Sequence, residues 1–190
     1  MIKKPLKVEW NNIYKHQVTI GDINMKPNEI KTLFDYNFWA FERVWESISQ
    51  LSDGQFIEEI DYSTGSIRNI VCHIMSANMR WVSRLEGKTP GQYLIYEDFD
   101  TLAKTKAKWD DVQKEFLAYI NSLDQDQIDA TVTWEIPDRG WKLDTPRWEL
   151  LLHVANHGTD HRAQILAILH HHFHVKTDEQ DMIIYTAEKR

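Results

Sequence analysis

The segment TPRWELLLHVANHGTDHRAQILAILHHH, residues 145–172, carries the reading on which the fold turns. Thr145-Pro146 forms an N-cap and first-position pair, and Glu149 falls near the third helical position. A helix is therefore expected to start there and to continue to about His172. Three earlier stretches carry the same helical period. Ile30, Leu33, Phe34, Phe38, Phe41, Val44, Trp45 and Ile48 recur at intervals of three and four and draw one apolar stripe over residues 28–51, which Ser52-Asp53-Gly54 ends. Ser66 can cap a second helix over 66–86, with Ile67, Ile70, Val71, Ile74, Ala77, Trp81 and Leu85 facing inward. A third, over 98–123, carries Leu102, Ala103, Trp109, Val112, Phe116, Leu117 and Ile120.

Four amphipathic helices of this length predict an all-α fold, a four-helix bundle. The third and fourth helices are joined by one long crossover over residues 124–144. Within it, residues 131–136 alternate β-forming side chains, and Pro137-Asp138-Arg139-Gly140 reads as a turn before Trp141-Lys142-Leu143, so a small hairpin is expected. No repeat, low-complexity run or linker divides the chain, which is read as a single domain over 1–190, with residues 1–25 an N-terminal extension of no clean period.

Composition narrows the function. A 42% hydrophobic share, 27% charge, eight Trp and only seven Gly and five Pro describe an ordered globular chain rich in long helices. A formal net charge of −7 argues against a broad phosphate-binding surface, so no nucleic acid partner is expected. The single cysteine, Cys72, cannot form an internal disulfide, and no apolar run has the length of a signal peptide or a membrane span. A cytoplasmic location without a membrane partner follows as the expectation.

Nine histidines supply the candidate chemistry. His153, His157 and His161 follow one another at i, i+4 spacing, which keeps neighbours on one helix face, about 6 Å apart along the axis. Adjacent pairs can share a metal ion, but His153 and His161, about 12 Å apart along the axis, cannot both join a common ion with His157. A centre built on either pair needs a ligand from elsewhere, and His73, beside the inward residues Ile70, Ile74 and Ala77 of the second helix, is the best outside candidate. Three neutral imidazoles with an open position suit Zn²⁺ or Ni²⁺. The competing reading is that a histidine on an apolar face is a hydrogen-bonded core residue. His170-His171-His172-Phe173-His174 reads as a solvated helix end, Cys72 as an inert packing residue, and Trp39, Trp81 and Trp148 as core.

Tyr36-Asn37-Phe38-Trp39-Ala40, the run from Ser66 to Ile74, the run from Leu152 to Gln164 and the C-terminal segment 181–185 resemble the DinB/YfiT-like family. The similarity covers most of the chain from about residue 28. Its most specific part is Asn156-His157-Gly158-Thr159-x-His161-Arg162-x-Gln164 together with the distant His73, with Ala163 standing where glycine is common. The resemblance implies a bundle, commonly a homodimer, with a divalent metal held by the histidines corresponding to His73, His157 and His161, and it makes His153 a neighbour. It further implies a thiol-dependent transferase or isomerase that uses a low-molecular-weight thiol on a small electrophilic substrate. Two other functions stay open on the residues themselves: a hydrolase using metal-activated water, for which spacing nominates no carboxylate base, and a non-catalytic small-molecule or stress-binding protein.

Overall fold

Lys26 is extended and Pro27 sits at the first helical position, where its missing N–H costs nothing, so the first helix begins there. The computed structural model describes residues 25–189, and the expected N-terminal extension lies outside them except for Met25. In chain order the elements are α1 (Pro27–Ile48), α2 (Asp53–Ile57), α3 (Ile67–Leu85), α4 (Leu102–Ser122), α5 (Gln125–Asp129), β1 (Thr131–Ile136), β2 (Trp141–Pro146), α6 (Arg147–His171) and α7 (Met182–Glu188). The four long helices form the bundle. Helix α1 packs on α4 and α6, and α3 packs on the same two, so α1 faces α3 and α4 faces α6 across the diagonals.

The stripes read from the sequence become the core. Phe34, Phe38 and Phe41 of α1 meet Trp109 and Phe116 of α4, and Phe41 stacks on Trp109 with ring centroids 3.7 Å apart. From α3, Ile67, Ile70, Val71, Cys72, Ile74 and Met75 are buried against this cluster, and from α6, Leu151, Val154, Ile165, Ile168 and Leu169. Ser66 does cap α3, its hydroxyl accepting from Asn69 N–H.

Two expectations shift in position. Helix α4 starts at Leu102 and not at residue 98, because Thr101 supplies the cap, its hydroxyl accepting from the Lys104 amide, and the 96–98 segment is a separate 3₁₀ turn. Thr145 does not cap α6. It pairs with Val132 in an antiparallel hairpin that runs from Thr131↔Pro146 to Ile136↔Trp141, and its hydroxyl accepts from the Trp134 indole N–H at 2.8 Å. Strand pairing thus takes the residue whose local sequence favoured a cap, and Pro146 stands at the helix N-cap. The hairpin turn closes at Gly140, whose φ of 66° is the left-handed conformation glycine tolerates.

Helix α7 closes one flank of α1. Tyr185 packs against Tyr36 and Trp39, the Trp39 indole N–H donates to Glu188 at 3.0 Å, and the Tyr36 hydroxyl donates to the Gln180 carbonyl at 2.9 Å. No helix among the described residues is long and apolar enough to cross a membrane.

Because Phe116 is 1% exposed and holds α4 to two rings of α1, Phe116→Ala is expected to cost about 3–5 kcal/mol of unfolding free energy in denaturant titration. A loss under about 1 kcal/mol would mean that these aromatic contacts do not hold α1 to α4.

Candidate metal centre

Helices α3 and α6 lie side by side, and the apolar faces that pack them leave His73 of α3 opposite His157 and His161 of α6. His157 Nε2 lies 3.1 Å from His73 Nε2 and 3.1 Å from His161 Nε2. The three ligand nitrogens all fall within 4.8 Å of one another, and no other group of three or more His, Cys, Asp or Glu among the described residues is so placed.

One imidazole nitrogen offers a single proton or a single in-plane lone pair. His157 Nε2 therefore cannot satisfy two neighbouring nitrogens with ordinary hydrogen bonds, whereas a cation between the three rings answers all of them. Two imidazoles bound to one ion at about 2.0–2.1 Å place their nitrogens about 3 Å apart, which is the spacing found here. The donor set fits one divalent metal.

The rings are kept in the right form. Burial first, then the neighbouring His161, His73 and His153, push the His157 pKa down from 6.5 to about 3. Burial and His161 lower that of His73. Both stay neutral at physiological pH and keep the lone pair a metal needs. Gln164 Oε1 lies 2.9 Å from His161 Nδ1 and accepts the Ser63 hydroxyl at 2.6 Å. As acceptor it holds the proton on Nδ1 and leaves Nε2 free. His157 Nδ1 is buried with no hydrogen-bond partner among the described residues, so only a ligand at Nε2 selects its tautomer.

Behind the rings, α6 is locked to α1. The Arg162 guanidinium, 3% exposed, donates to Asn37 Oδ1 and, at 2.9 Å, to the Thr159 hydroxyl. Asn37 Nδ2 donates to the Ala155 carbonyl at 3.0 Å. Gly158 makes the approach possible: a Cβ there would sit 2.9 Å from Asn37 Oδ1 and 3.4 Å from Arg162 Nη1. In the sequence reading these residues counted only as part of a family motif. Their interlock was not legible, because Asn37 and Arg162 lie 125 positions apart.

A cavity of about 500 Å³ reaches His73 and His157. Its walls include Trp81, Trp134, Trp141 and Tyr93, so Trp81 serves the cavity as well as the core. His153 lines the cavity too, its ring 6.0 Å from that of His157 and 5.1 Å from Trp81, outside the three-nitrogen group. Glu149, which the sequence offered only as a helix-start residue, is the one carboxylate in the lining. The remaining histidines are not gathered: His170, His171, His172 and His174 are exposed at the end of α6, and His172 meets Glu58 at 2.8 Å. Asp160 is exposed. Cys72 is fully buried and its thiol is pushed up to about 12, mainly by burial, which fits a packing role. Trp148 is core, while Trp39 lies half-buried under Arg43 and Tyr185. A groove of about 750 Å³ elsewhere, beside Tyr119 and Arg147, contains no histidine.

The DinB family model matches residues 25–176. The chain belongs to the DinB family. It is 30% identical over 143 residues to Protein DinB of Bacillus subtilis (strain 168), an alignment covering 72% of this chain and 82% of that one. The fold is similar to the crystal structure of a DinB-like protein from Bacillus cereus ATCC 10987, with a TM-score of 0.65 at 14% identity over 83% of this chain and 99% of that one. It is also similar to the colibactin self-resistance protein ClbS, solved in complex with a dsDNA, with a TM-score of 0.53 at 13% identity over 75% and 95% of the two chains.

The ClbS complex corrects one expectation. Exclusion of nucleic acid from the partners rested on net charge, and a protein of this fold is seen with duplex DNA. Net charge sums over the whole surface, whereas a ligand meets a local field, so a negative total does not exclude a phosphate-bearing partner.

The depressed histidines give metal-free protein a signature. Unfolded His157 takes up its proton near pH 6.5, but the folded residue does so only near pH 3. Between those values the unfolded state holds more protons, so stability falls as pH is lowered from about 6.5 toward 3. Denaturant midpoints of chelated protein at about pH 7.5 and about pH 5 should show the fall, and His157→Gln should flatten it. A variant as acid-sensitive as wild type would refute the assignment.

Proposed function

We propose that this protein is a metal-dependent enzyme in which His73, His157 and His161 hold one divalent ion, Zn²⁺ or Ni²⁺, and that it transfers a low-molecular-weight thiol to a small electrophilic molecule. The observation that carries this reading is the cavity that reaches two of the three histidines, since its volume of about 500 Å³ is in the range of small-molecule sites. A purely structural site would be closed by a fourth protein ligand, and among the described residues no Asp, Glu or Cys joins the three imidazoles. When bound, such an ion lowers the pKa of a thiol or water presented to it.

The chain's own residues supply the rest. His73 and His157 remain neutral and present lone pairs to one point. Ser63, through Gln164, fixes the orientation and tautomer of His161. Trp81 and Trp134, in edge contact with centroids 5.5 Å apart, form an apolar wall that limits water beside the histidines. In the transfer the thiol gives its proton to solvent, its sulfur forms the new bond to the electrophilic carbon, and the leaving group departs from that carbon with the electron pair of the broken bond, as chloride does from a chloroarene.

Hydrolysis is the second reading, and Glu149 favours it as the only carboxylate among the described residues that line the cavity, a group able to take a proton from water.

Calorimetric titration of chelator-stripped protein with Zn²⁺ and with Ni²⁺ is expected to give one site per chain, absent in His73→Ala and in His157→Ala. Gln164→Leu, which removes the acceptor of the His161 proton, should weaken that site about 10- to 100-fold. Metal-loaded protein should then consume a chromogenic electrophile such as 1-chloro-2,4-dinitrobenzene only when a small thiol is added. Loss of an electrophile without thiol would move the assignment to hydrolysis, and a metal site indifferent to both histidine variants would overturn the centre.

A further inference from the structure

The same cavity that touches His73 and His157 is lined by Arg80 and Arg84 of α3 and by Arg139 from the hairpin turn. None of the three forms an ion pair with a carboxylate among the described residues, although those residues contain six Lys or Arg ion-pair contacts elsewhere. Arg84 is the informative member. It is 7% exposed, its Nε donates only a long bond of 3.4 Å to the Glu135 carbonyl, and neither of its Nη groups has a protein acceptor. Its guanidinium lies over Trp81, 5.1 Å from the ring centroid. Burial and the neighbouring charge of Arg80 both lower its pKa, as expected for cations pressed together.

Guanidinium N–H groups that line a cavity without a protein acceptor are available to donate to a ligand. Arg80 and Arg139 are also held by aromatic faces and not by carboxylates: Arg80 lies 4.0 Å from the Tyr93 centroid, with one Nη donating to the Gly91 carbonyl, and Arg139 lies 5.1 Å from the centroid of Trp141. Stacking keeps a guanidinium's in-plane donors available, the arrangement suited to planar bidentate acceptors. Opposing them in the lining is one carboxylate, Glu149, and the lining imidazoles of His73 and His157 are held neutral. A chain with net charge −7 therefore encloses a locally positive cavity between indole walls.

We infer that Arg80, Arg84 and Arg139 form an anion subsite, and that the cavity takes a small organic anion whose carboxylate, sulfonate or phosphate meets the guanidiniums while its apolar body lies against the wall of tryptophans. This deepens the reading of the cavity as the substrate site and rests on it. The arginines come from α3 and the hairpin turn, so the ligand would also draw the hairpin onto the bundle.

The test uses two dyes with the same rings, anionic 8-anilinonaphthalene-1-sulfonate and neutral N-phenyl-1-naphthylamine, titrated into as-purified and metal-saturated protein with tryptophan fluorescence as the second readout. The sulfonate should bind at least about tenfold more tightly than its neutral twin, since a charge-assisted hydrogen bond is worth at least that factor. Arg84→Gln should lose about tenfold in sulfonate affinity and nothing in metal stoichiometry. Arg139→Gln, at an exposed turn where folding is not at risk, should lose sulfonate affinity as well. His157→Ala should lose metal and keep sulfonate binding, so failure of the metal centre and failure of the anion subsite give different patterns. Equal affinity for the two dyes, or sulfonate binding unchanged in both arginine variants, overturns the inference. So does displacement of the dye by a short DNA duplex but not by benzoate, which would assign the arginines to a phosphodiester backbone.

Discussion

The geometry of this protein depends on a buried cation held by neutral acceptors. Arg162 is almost fully enclosed between α1 and α6, no carboxylate among the described residues pairs with it, and burial lowers its pKa. An enclosed guanidinium is tolerated only where its donors are satisfied, and Asn37 Oδ1, the Asn37 carbonyl and the Thr159 hydroxyl do so. Asn37 in turn grips the Ala155 carbonyl. Sliding α6 along α1 by one residue would break every bond between Asn37 and α6 at once, those from Arg162 and that to the Ala155 carbonyl. Arg162 is next to His161, and Gly158 is next to His157, so the interlock that fixes the helix also fixes how far the two histidines reach toward α3.

That arrangement makes a second demand on α3. His73 stands among the fully buried Ile70, Val71 and Cys72 and the nearly buried Ile74, which fix the stretch of α3 that carries it, while its ring borders the cavity. Three imidazoles held this close, two of them denied a proton by burial, concentrate lone pairs at one point. Packing by apolar neighbours does the holding, and the repulsion it tolerates is what a cation relieves. The Ser63 and Gln164 chain then acts on the one histidine whose other nitrogen has a protein acceptor. The fold thus brings together three histidines that could hold a metal ion.

Much of this was legible in the sequence, for identifiable reasons. The helix stripes were readable because the inward positions of α1, α3 and α4 repeat at three and four residues, and most of those positions are buried; Leu33, Ala77, Leu102 and Leu117 are only half-buried, and Ala103, at the start of α4, is exposed. His73 could be nominated because it lies on the inward edge of α3. What escaped were features that depend on residues meeting from afar. The capping role assigned to Thr145 failed because its hydroxyl was claimed by Trp134, a partner visible only once the hairpin is paired. Gly158 looked like any helical glycine until Asn37 arrived against it. Arg80 and Arg84 are four positions apart on a charged-looking helix, and nothing local tells that the turn at Arg139 folds over them. Local pattern gives elements and faces, but not which polar side chains find partners across the bundle.

The error over nucleic acid and the discovery of the arginine-lined cavity share one cause. Net charge is a sum, and it says that at distances beyond a Debye length, about 8 Å at physiological ionic strength, a ligand sees an acidic protein. Inside a cavity walled by indoles that average is irrelevant, because field lines are confined and the nearest charges dominate. Here the nearest charges are three guanidiniums and one carboxylate. An acidic exterior around a basic pocket disfavours binding of extended polyanions by the general surface, yet leaves the pocket attractive to any anionic group small enough to enter. The acidic surface therefore does not oppose the pocket's preference for anions. It restricts which anions can exploit it, and the size and shape of the cavity, whose lining includes the exposed Tyr93 and Trp141, become the selecting variables.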